Sequence, residues 1–210
     1  MLTHTFKIKR KDKEIYRDVP LIFGVSGVAR CGKDTLVKHL EKKFTKARKY
    51  PASIVSFASA VKKDLDPFLK EKLNISAFTQ KTKEKNIIRP LLVCYATEVV
   101  RNKIDKSYWI KQIQNRVESN IKNNIITLIP DVRYENEVKW IKSIGGYIIH
   151  LQRDGNKPAN FEEKSNDPII KKIANYHIRW KNFTDEAKTC SYHIAKLFKE
   201  NNWSIYGEFK

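Results

Sequence analysis

Short, continuously apolar segments alternate with amphipathic segments along most of the chain. The apolar segments predict five buried strands, at residues 21–26, 53–57, 124–129, 147–151 and 176–180. Apolar positions three and four residues apart predict helices at about residues 33–44, 61–73, 88–102, 107–122, 135–144 and 184–201. Strands that are apolar along their whole length are typical of a parallel sheet that is covered on both faces. The pattern therefore predicts an α/β fold in which helices flank a mostly parallel five-stranded sheet.

The segments outside these elements carry weaker signals. Residues 1–19 are polar and basic, and we expect them to form an extension or an edge hairpin. Residues 79–86 are polar and are expected to form a loop, whereas residues 155–173 are polar without a clear pattern.

Prolines and short polar residues refine the helix boundaries. Pro67 is expected to kink or break its helix, because proline lacks the backbone N–H that a helix interior needs. Pro90 is tolerable in the first turn of the helix predicted to begin at residue 88. Ser107 and Thr184 are the predicted N-caps of the helices that follow them.

The formal net charge of +19 at pH 7 has three explanations. Clustered Lys and Arg side chains favour a nucleic-acid partner, because they neutralise phosphates and release counterions. A positive surface would also attract small anionic substrates. Alternatively the charge reflects codon bias, since only 10 of the 42 basic residues are Arg and Ile and Asn are abundant. The basic residues are scattered, so all three explanations stay open, including weak nucleic-acid binding.

The cysteines and the apolar runs indicate a compartment. Three cysteines lie far apart at Cys31, Cys94 and Cys190, without the spacing of a disulfide framework or a metal site. A reducing environment is the simplest explanation of that pattern. No apolar run is long enough to cross a bilayer, so no membrane partner is expected. We expect a cytoplasmic protein, in the host cytoplasm if it is viral.

The strongest chemical signal follows the first predicted strand. Residues 27–35, here called the phosphate loop, read Gly-Val-Ala-Arg-Cys-Gly-Lys-Asp-Thr and fit the pattern G-x-x-x-x-G-K. Gly27 and Gly32 allow backbone N–H groups, that of Arg30 included, to curl around phosphate oxygens. Lys33 would reach the β- and γ-phosphates, and the following helix points its positive dipole end at the same anion. The motif predicts ATP as the ligand.

A metal ion is expected beside the triphosphate. The residue after the lysine is commonly Ser or Thr, whose hydroxyl contacts Mg²⁺, whereas this chain has Asp34 followed by Thr35. A carboxylate can hold Mg²⁺ through water, because that ion gives up its hydration reluctantly. Asp34, Thr35 and Asp131 are the metal candidates. Cys31 lies near Lys33 and a helix N-terminus, so its thiol is expected to be acidic and prone to oxidation.

Charged residues beyond the phosphate loop are candidates for the acceptor site. Asp131 ends a buried strand, where α/β sheets place ligand-facing groups, and an ordinary helix N-cap is the alternative. Arg133 is a candidate phosphate clamp or a surface ion-pair partner. Glu137 is a candidate contact for sugar or base, or a solvated helical residue. Arg101 would bind the acceptor phosphate and Arg153 would stabilise developing charge, unless they are ordinary surface and loop arginines.

Aromatic residues add candidates for base stacking. Phe57 and the pair Tyr108 and Trp109 are suited to it, although aromatics at such spacing are more often part of a core.

Four blocks of sequence, in a fixed order, carry a family resemblance. They are Gly27–Thr35; Ser56-Phe57-Ala58 with Lys62; Tyr95–Arg101 with Tyr108-Trp109; and Asp131–Glu137 leading through Gly145-Gly146 to Arg153. With these blocks the chain resembles the deoxynucleoside monophosphate kinases of bacteriophages and related viruses.

The resemblance implies an adenylate-kinase-like fold within a single domain at residues 20–210. It implies an acceptor-binding region at about residues 57–109, which contains Phe57, Lys62, Arg101 and Trp109, and a lid at about residues 153–175. It also implies transfer of the γ-phosphate of ATP to a deoxynucleoside monophosphate with Mg²⁺, with Lys33, Asp34, Arg133 and Arg153 as catalytic residues, and a homodimer. Residues 164–168 depart from the family, since they read Lys-Ser-Asn-Asp-Pro where a lid segment containing His, Ser and Glu is expected.

Three other functions use some of the same features. A kinase acting on a hydroxyl of DNA or another metabolite could use the same phosphate loop. A basic nucleic-acid-binding protein could retain a degenerate loop, and its binding would depend strongly on salt. An NTPase switch or motor would hydrolyse ATP without any acceptor.

Overall fold

The computed structural model describes residues 3–10, 13–46, 51–181 and 186–203. Its strands are β1 (Thr3–Arg10), β2 (Lys13–Pro20), β3 (Ile22–Ser26), β4 (Ala52–Ile54), β5 (Ile126–Val132), β6 (Tyr147–Arg153) and β7 (Tyr176–Trp180). Its α-helices are α1 (Lys33–Lys46), α2 (Phe57–Leu73), α3 (Thr82–Val93), α4 (Tyr108–Lys122), α5 (Glu135–Ser143), α6 (Phe161–Ile173) and α7 (Glu186–Glu200), and a π-helix spans Cys94–Ile104.

Five of the strands form one parallel sheet in the order β4-β5-β3-β6-β7. The central strand β3 pairs in parallel with β5 on one side and with β6 on the other. The outer strands β4 and β7 also pair in parallel with their neighbours. The predicted α/β fold with a parallel five-stranded sheet is therefore confirmed.

The described residues divide into two compact units. One unit is drawn from Met1–Ile54 and Val117–Lys210 and contains the sheet, and the other is Val55–Arg116. In the sheet unit, the Phe23 ring of β3 lies 5.5 Å from the rings of both Phe44 and Trp203, measured between centroids. Because aromatic side chains bury a large apolar surface, these ring contacts contribute much of the stability of the sheet unit.

The unit Val55–Arg116 has its own small core of Leu69, Ala77 and Ile88. Asp66 orders the turn that follows α2, because its Oδ1 accepts hydrogen bonds from the Ser76 hydroxyl (2.7 Å) and the Ala77 N–H (2.8 Å). A single carboxylate thereby joins α2 to the segment that leads to α3.

The structure departs from the predicted elements of residues 53–73 at two points. The second strand ends at Ile54 and is partly exposed, so residues 53–57 are not a buried strand. Ser56 instead caps α2, since its side chain accepts a hydrogen bond from the Ser59 N–H (3.2 Å), and Phe57 is the first helical residue. Pro67 does not break the helix, which continues through it to Leu73.

The predicted loop at residues 79–86 is also wrong over most of its length, because α3 begins at Thr82. Glu84 lies in the first turn of α3. Its carboxylate accepts a hydrogen bond from the Thr79 hydroxyl and forms an ion pair with Lys81, and both contacts stabilise the start of this helix. Pro90 consequently lies inside α3 and not in a first turn. From Cys94 the helix continues in π geometry, with wider turns that periodicity alone does not predict.

The later elements agree better with the sequence. α5 ends at Ser143 before Gly145 and Gly146, as expected, and β7 is the predicted fifth strand. The patternless segment 155–173 contains a helix that was not predicted, α6, whose N-cap Asn160 accepts a hydrogen bond from the Glu163 N–H (2.9 Å). Thr184 lies outside the described residues.

The N-terminal strands β1 and β2 pair with each other in an antiparallel two-stranded sheet, from Thr3 opposite Pro20 to Arg10 opposite Lys13. The expected hairpin is thus present, but it forms a sheet separate from the five-stranded one. Within the described ranges, every helix is too short or too polar to span a lipid bilayer.

Leu128 tests the placement of the core. It is fully buried on β5 beside the central strand. We expect Leu128→Ala to lower the free energy of unfolding by about 2–5 kcal/mol, because it leaves a cavity in the sheet unit. Urea denaturation measures the loss. Ile169→Ala, at an exposed position of α6, is the control and should cost about 1 kcal/mol or less. Equal losses at the two sites would contradict the burial of Leu128.

Candidate active site

The phosphate loop connects β3 to α1, as the sequence predicts. Its backbone takes positive φ angles at Gly27 (136°), Arg30 (62°) and Gly32 (98°). Successive N–H groups in turns of this kind form a concave surface that binds anions. The first N–H groups of α1, from Lys33 onward, have no partner within the helix and carry its positive dipole end. The segment therefore has the backbone geometry of an anion-binding turn at a helix N-terminus.

Gly27 is required by a close backbone approach. A Cβ atom added there would lie 2.1 Å from the carbonyl oxygen of Leu151 on β6, and 2.9 Å from the Cys31 sulfur. Because the first contact is with backbone on a neighbouring strand, it cannot be relieved by a side-chain rotation. The absence of a side chain at Gly27 therefore allows the loop to pack directly against the backbone of β6.

Lys33 folds back over the loop that precedes it. Its ammonium donates hydrogen bonds to the carbonyl oxygens of Gly27 (2.6 Å) and Val28 (2.8 Å). This position places a positive charge at the phosphate loop, where the sequence predicts it.

Three residues that sequence reasoning missed hold the loop from later parts of the chain. The Trp180 indole N–H donates to the Cys31 carbonyl (2.9 Å), and the Asn156 amide donates to the Ala29 carbonyl (3.1 Å). The Ala29 N–H in turn donates to Glu163 Oε2 (3.0 Å). The backbone N–H and the backbone carbonyl of Ala29 are thus both held by side chains. The only available signal was that Trp180 ends a predicted strand.

Asp131 lies on β5, the strand that pairs with β3, and Arg133 follows the end of β5. Ser26, the last residue of β3, pairs with Val132 of β5, so Arg133 follows β5 where Gly27 follows β3. Parallel strands direct their carboxyl ends to one edge of the sheet, which is where α/β folds bind ligands. Asp131 belongs to β5 itself and is half-buried.

Glu137 is buried, so the alternative of a solvated helical residue is wrong. Its Oε2 accepts hydrogen bonds from the backbone N–H groups of Arg133 (2.8 Å) and Tyr134 (3.1 Å). These bonds satisfy donors before the first turn of α5 and fix the backbone that carries Arg133. Contact of Glu137 with an acceptor remains a prediction.

The Arg133 side chain pairs with Glu163, at 3.3 Å between Nη1 and Oε1. The arginine side chain is 50% exposed, whereas that of Glu163 is only 8% exposed. The partner is therefore a buried carboxylate on α6 and not a surface group. Arg153 is the last residue of β6 and is half-buried, so it lies at the same sheet edge.

The other acceptor candidates belong to the unit Val55–Arg116. Arg101 is 5% exposed and donates from Nη1 to the Lys106 carbonyl (2.9 Å), so it is not a surface arginine. Trp109 is buried and donates to the Ala96 carbonyl (3.0 Å). Phe57 is also buried, and the Lys62 ammonium lies 5.7 Å from the centroid of a neighbouring phenyl ring. Their roles in acceptor binding remain predictions.

The expectation of an acidic Cys31 thiol is wrong. Cys31 is completely buried, and this burial raises the pKa of its thiol. The Lys33 ammonium acts in the opposite direction on that pKa but does not outweigh the loss of solvation.

Magnesium is implied by the sequence motif, and the oxygen donors present are compatible with it. Among the described residues no three His, Cys, Asp or Glu side chains cluster as a metal site. Mg²⁺ does not need such a cluster, because it keeps several waters and binds through one or two carboxylates plus substrate phosphates. Asp34, exposed in the first turn of α1, the adjacent Thr35 and Asp131 on β5 fit that requirement.

Comparison with known proteins identifies the family. A sequence profile described as "Deoxynucleotide monophosphate kinase" matches residues 53–167, which is more than half of the chain. The chain belongs to this family. The resemblance noted from the sequence is thereby confirmed. The matched range contains Arg101, Asp131, Arg133 and Arg153, and also Glu163, whose contact with the phosphate loop sequence reasoning had missed.

Individual relatives are more distant. A protein of Enterobacteria phage T4 named "Deoxynucleotide monophosphate kinase" is 28% identical over 108 residues, which is 48% of this chain and 42% of that protein. The match thus spans less than half of the length of the phage T4 family member.

Two of the solved structures with some similarity are the following. Dephospho-CoA kinase from Campylobacter jejuni is 17% identical, with 84% of this chain and 96% of that chain covered and a TM-score of 0.48. A sugar kinase from Janibacter sp. HTCC2649 is 6% identical, with 84% and 93% covered and a TM-score of 0.46. The α/β assignment rests on the strand order described above.

Replacement of Gly27 tests how the loop is seated. We expect Gly27→Ala to lower the free energy of unfolding by more than Gly155→Ala, because its Cβ would overlap the Leu151 carbonyl. Gly155 also has a positive φ, of 81°, but a Cβ there would meet nothing within 4 Å. The control should therefore cost only the backbone strain of about 1–2 kcal/mol. Urea denaturation compares the variants, and equal losses would contradict the close approach.

Thiol alkylation tests the corrected view of Cys31. A thiolate is the reacting species, and a raised pKa lowers its fraction at any given pH. In native protein treated with iodoacetamide at pH 8, we expect exposed Cys94 to be labelled well before buried Cys31 and Cys190. Peptide mass spectrometry over time measures the order. Labelling of Cys31 as fast as that of Cys94 would contradict the buried, poorly ionised thiol.

Proposed function

We propose that the chain transfers the γ-phosphate of ATP to a deoxynucleoside monophosphate and releases the diphosphate. One observation supports this most directly. The phosphate loop and the segment with Asp131 and Arg133 leave adjacent parallel strands at one edge of the sheet, since Ser26 pairs with Val132. A donor triphosphate on the loop would therefore lie beside side chains suited to an acceptor phosphate.

The donor half of the site follows from the loop. Backbone N–H groups from Gly27 to Thr35 and the N-terminus of α1 would bind the phosphate oxygens, and Lys33 would leave the loop carbonyls for the β- and γ-phosphates. This exchange costs little, because one set of charge-assisted hydrogen bonds replaces another.

The acceptor half of the site depends on arginines. Arg133 would clamp the acceptor phosphate in line with the donor, and Arg153 would stabilise charge on the transferred group. Arg101 is proposed as a further ligand of the acceptor phosphate, and Phe57, Lys62 and Trp109 as residues that bind the acceptor nucleotide. No covalent intermediate is needed, because the reaction depends on positioning and charge stabilisation.

Magnesium bound with ATP supplies charge neutralisation between the β- and γ-phosphates. Asp34, Thr35 and Asp131 would hold its water ligands.

Residues 153–175, which include α6, are proposed to act as the lid that keeps bulk water from the reacting phosphate.

Assembly, location and surface charge are further parts of this proposal. The family resemblance favours a homodimer, and the phage T4 relative favours action in the cytoplasm of an infected host cell. The net charge of +19 favours weak, salt-sensitive contact with nucleic acid in addition to small nucleotides.

Replacement of Lys33 tests the donor site. We expect Lys33→Ala to abolish phosphate transfer, because the loop loses its only lysine charge on the triphosphate. Lys38→Ala removes the same charge from an exposed position of α1 and should retain activity. ADP release, coupled to a spectrophotometric readout, measures both. Full activity of Lys33→Ala would overturn the assignment.

The same assay across all common ribo- and deoxyribonucleoside monophosphates, with duplex DNA in a parallel reaction, separates the alternatives. ADP release that requires a deoxynucleotide supports the proposal. Labelling of DNA by radioactive ATP instead would favour a polynucleotide kinase, and hydrolysis without an acceptor would favour an NTPase. DNA binding without turnover would favour a basic binding protein.

A further inference from the structure

Glu163 makes contacts that the proposed reaction has not used. The residue lies in the first turn of α6, and its side chain is almost completely buried. Oε2 accepts hydrogen bonds from the N–H groups of Ala29 and Ala159, both at 3.0 Å. Oε1 pairs with Nη1 of Arg133 at 3.3 Å. One carboxylate thus touches the phosphate loop, the start of α6 and the arginine that follows β5.

A buried carboxylate is costly unless donors surround it, and here three donors do. The backbone N–H groups of Ala29 and Ala159 can still donate to the oxygen of a neutral amide, although less strongly than to a carboxylate. The pair with Arg133 is different, because a Gln whose oxygen stays with these two N–H groups turns its NH2 group, itself a donor, toward the guanidinium. The negative charge is therefore matched to Arg133, and the backbone bonds serve to hold the carboxylate in place.

The contacts of Glu137 and Glu163 also restrict the conformation of Arg133. The Arg133 side chain is half exposed and long, so it would sample many rotamers if no partner held it. Its backbone is fixed by Glu137 at the N–H of Arg133 and its guanidinium is held by Glu163. Because Glu163 is itself bonded to Ala29, the arginine is positioned relative to the phosphate loop.

We propose that Glu163 is a positioning residue for phosphate transfer, whose carboxylate holds the guanidinium of Arg133 at the phosphate loop so that donor and acceptor phosphates are aligned. The proposal rests on the function proposed above. Glu163 acts through Arg133 and does not itself touch a substrate. A rate effect follows because small displacements of a group that orients reacting phosphates reduce turnover strongly.

The test compares Glu163→Gln with Glu162→Gln. Glu162 precedes Glu163 in the first turn of α6. Its replacement removes one negative charge from that turn but leaves the contacts of Glu163 with Arg133 and Ala29 in place. We expect Glu163→Gln to lower kcat about 10- to 100-fold, as misplacement of an orienting group does. KM for ATP should stay near the wild-type value, because the backbone bond to Ala29 survives. Glu162→Gln should behave as wild type in the ADP-release assay.

A double-mutant cycle separates positioning from general support of the fold. If Glu163 acts through Arg133, then Glu163→Gln causes little further loss of kcat in an Arg133→Ala background. Equal fold losses in both backgrounds would overturn the proposal in favour of a merely structural role. Glu163→Asp provides a second variant that keeps the charge at the helix start but shortens the reach. It should also lose turnover, and wild-type kcat for this variant would count against the proposal.

The outcomes distinguish this inference from the function on which it depends. Absence of nucleotide-dependent ADP release in the wild-type protein would reject the kinase proposal itself. Wild-type activity together with unchanged kcat in Glu163→Gln would leave the kinase proposal standing and reject the role of Glu163. Thermal denaturation of each variant shows whether it is folded at the assay temperature.

Discussion

The backbone of the phosphate loop is the constraint on which the rest of this structure depends. Its positive φ angles create the anion-binding turn, but such a turn keeps one shape only if its surroundings over-determine it. Here the surroundings are backbone and side chains of later elements. The Leu151 carbonyl lies where any side chain at Gly27 would be, and the backbone N–H and carbonyl of Ala29 are both hydrogen-bonded to side chains. The loop is therefore shaped by the sheet and by α6 as much as by its own glycines.

Two structural features position the residues of the candidate site, namely the ends of parallel strands and buried carboxylates. Strand ends determine where Asp131, Arg133 and Arg153 lie, because parallel pairing directs β5 and β6 to the same edge as β3. Buried carboxylates then determine how the chain at that edge is oriented. Glu137 bonds two N–H groups before α5, and Glu163 does the same for Ala29 and Ala159. Each buried carboxylate accepts hydrogen bonds from backbone N–H groups in place of water, which offsets the free-energy cost of its burial.

The sequence predicts well those features whose cause is local. The strand, the glycine turn and the helix of residues 21–44 are contiguous, so their pattern is visible without any tertiary information. Predictions failed where a local cap or a distant contact outweighed periodicity. Ser56 began a helix inside a segment that reads as a strand, and α6 formed around the buried Glu163 in a segment with no apolar pattern. Glu163 could not be found from sequence, because its partners lie 134 residues earlier and 30 residues earlier in the chain.

The hydrogen bond from Trp180 to Cys31 has a consequence for synthesis of the protein. The two residues are 149 positions apart, and the hydrogen bonds that join Ala29 to Asn156 and to Glu163 span almost as far. Contacts of such long separation form late, because much chain entropy must be lost before they are made. A nascent chain that has exposed only the motif and its first helix lacks every one of these supports. The phosphate loop should therefore reach its final shape on the ribosome only when the last strand has emerged.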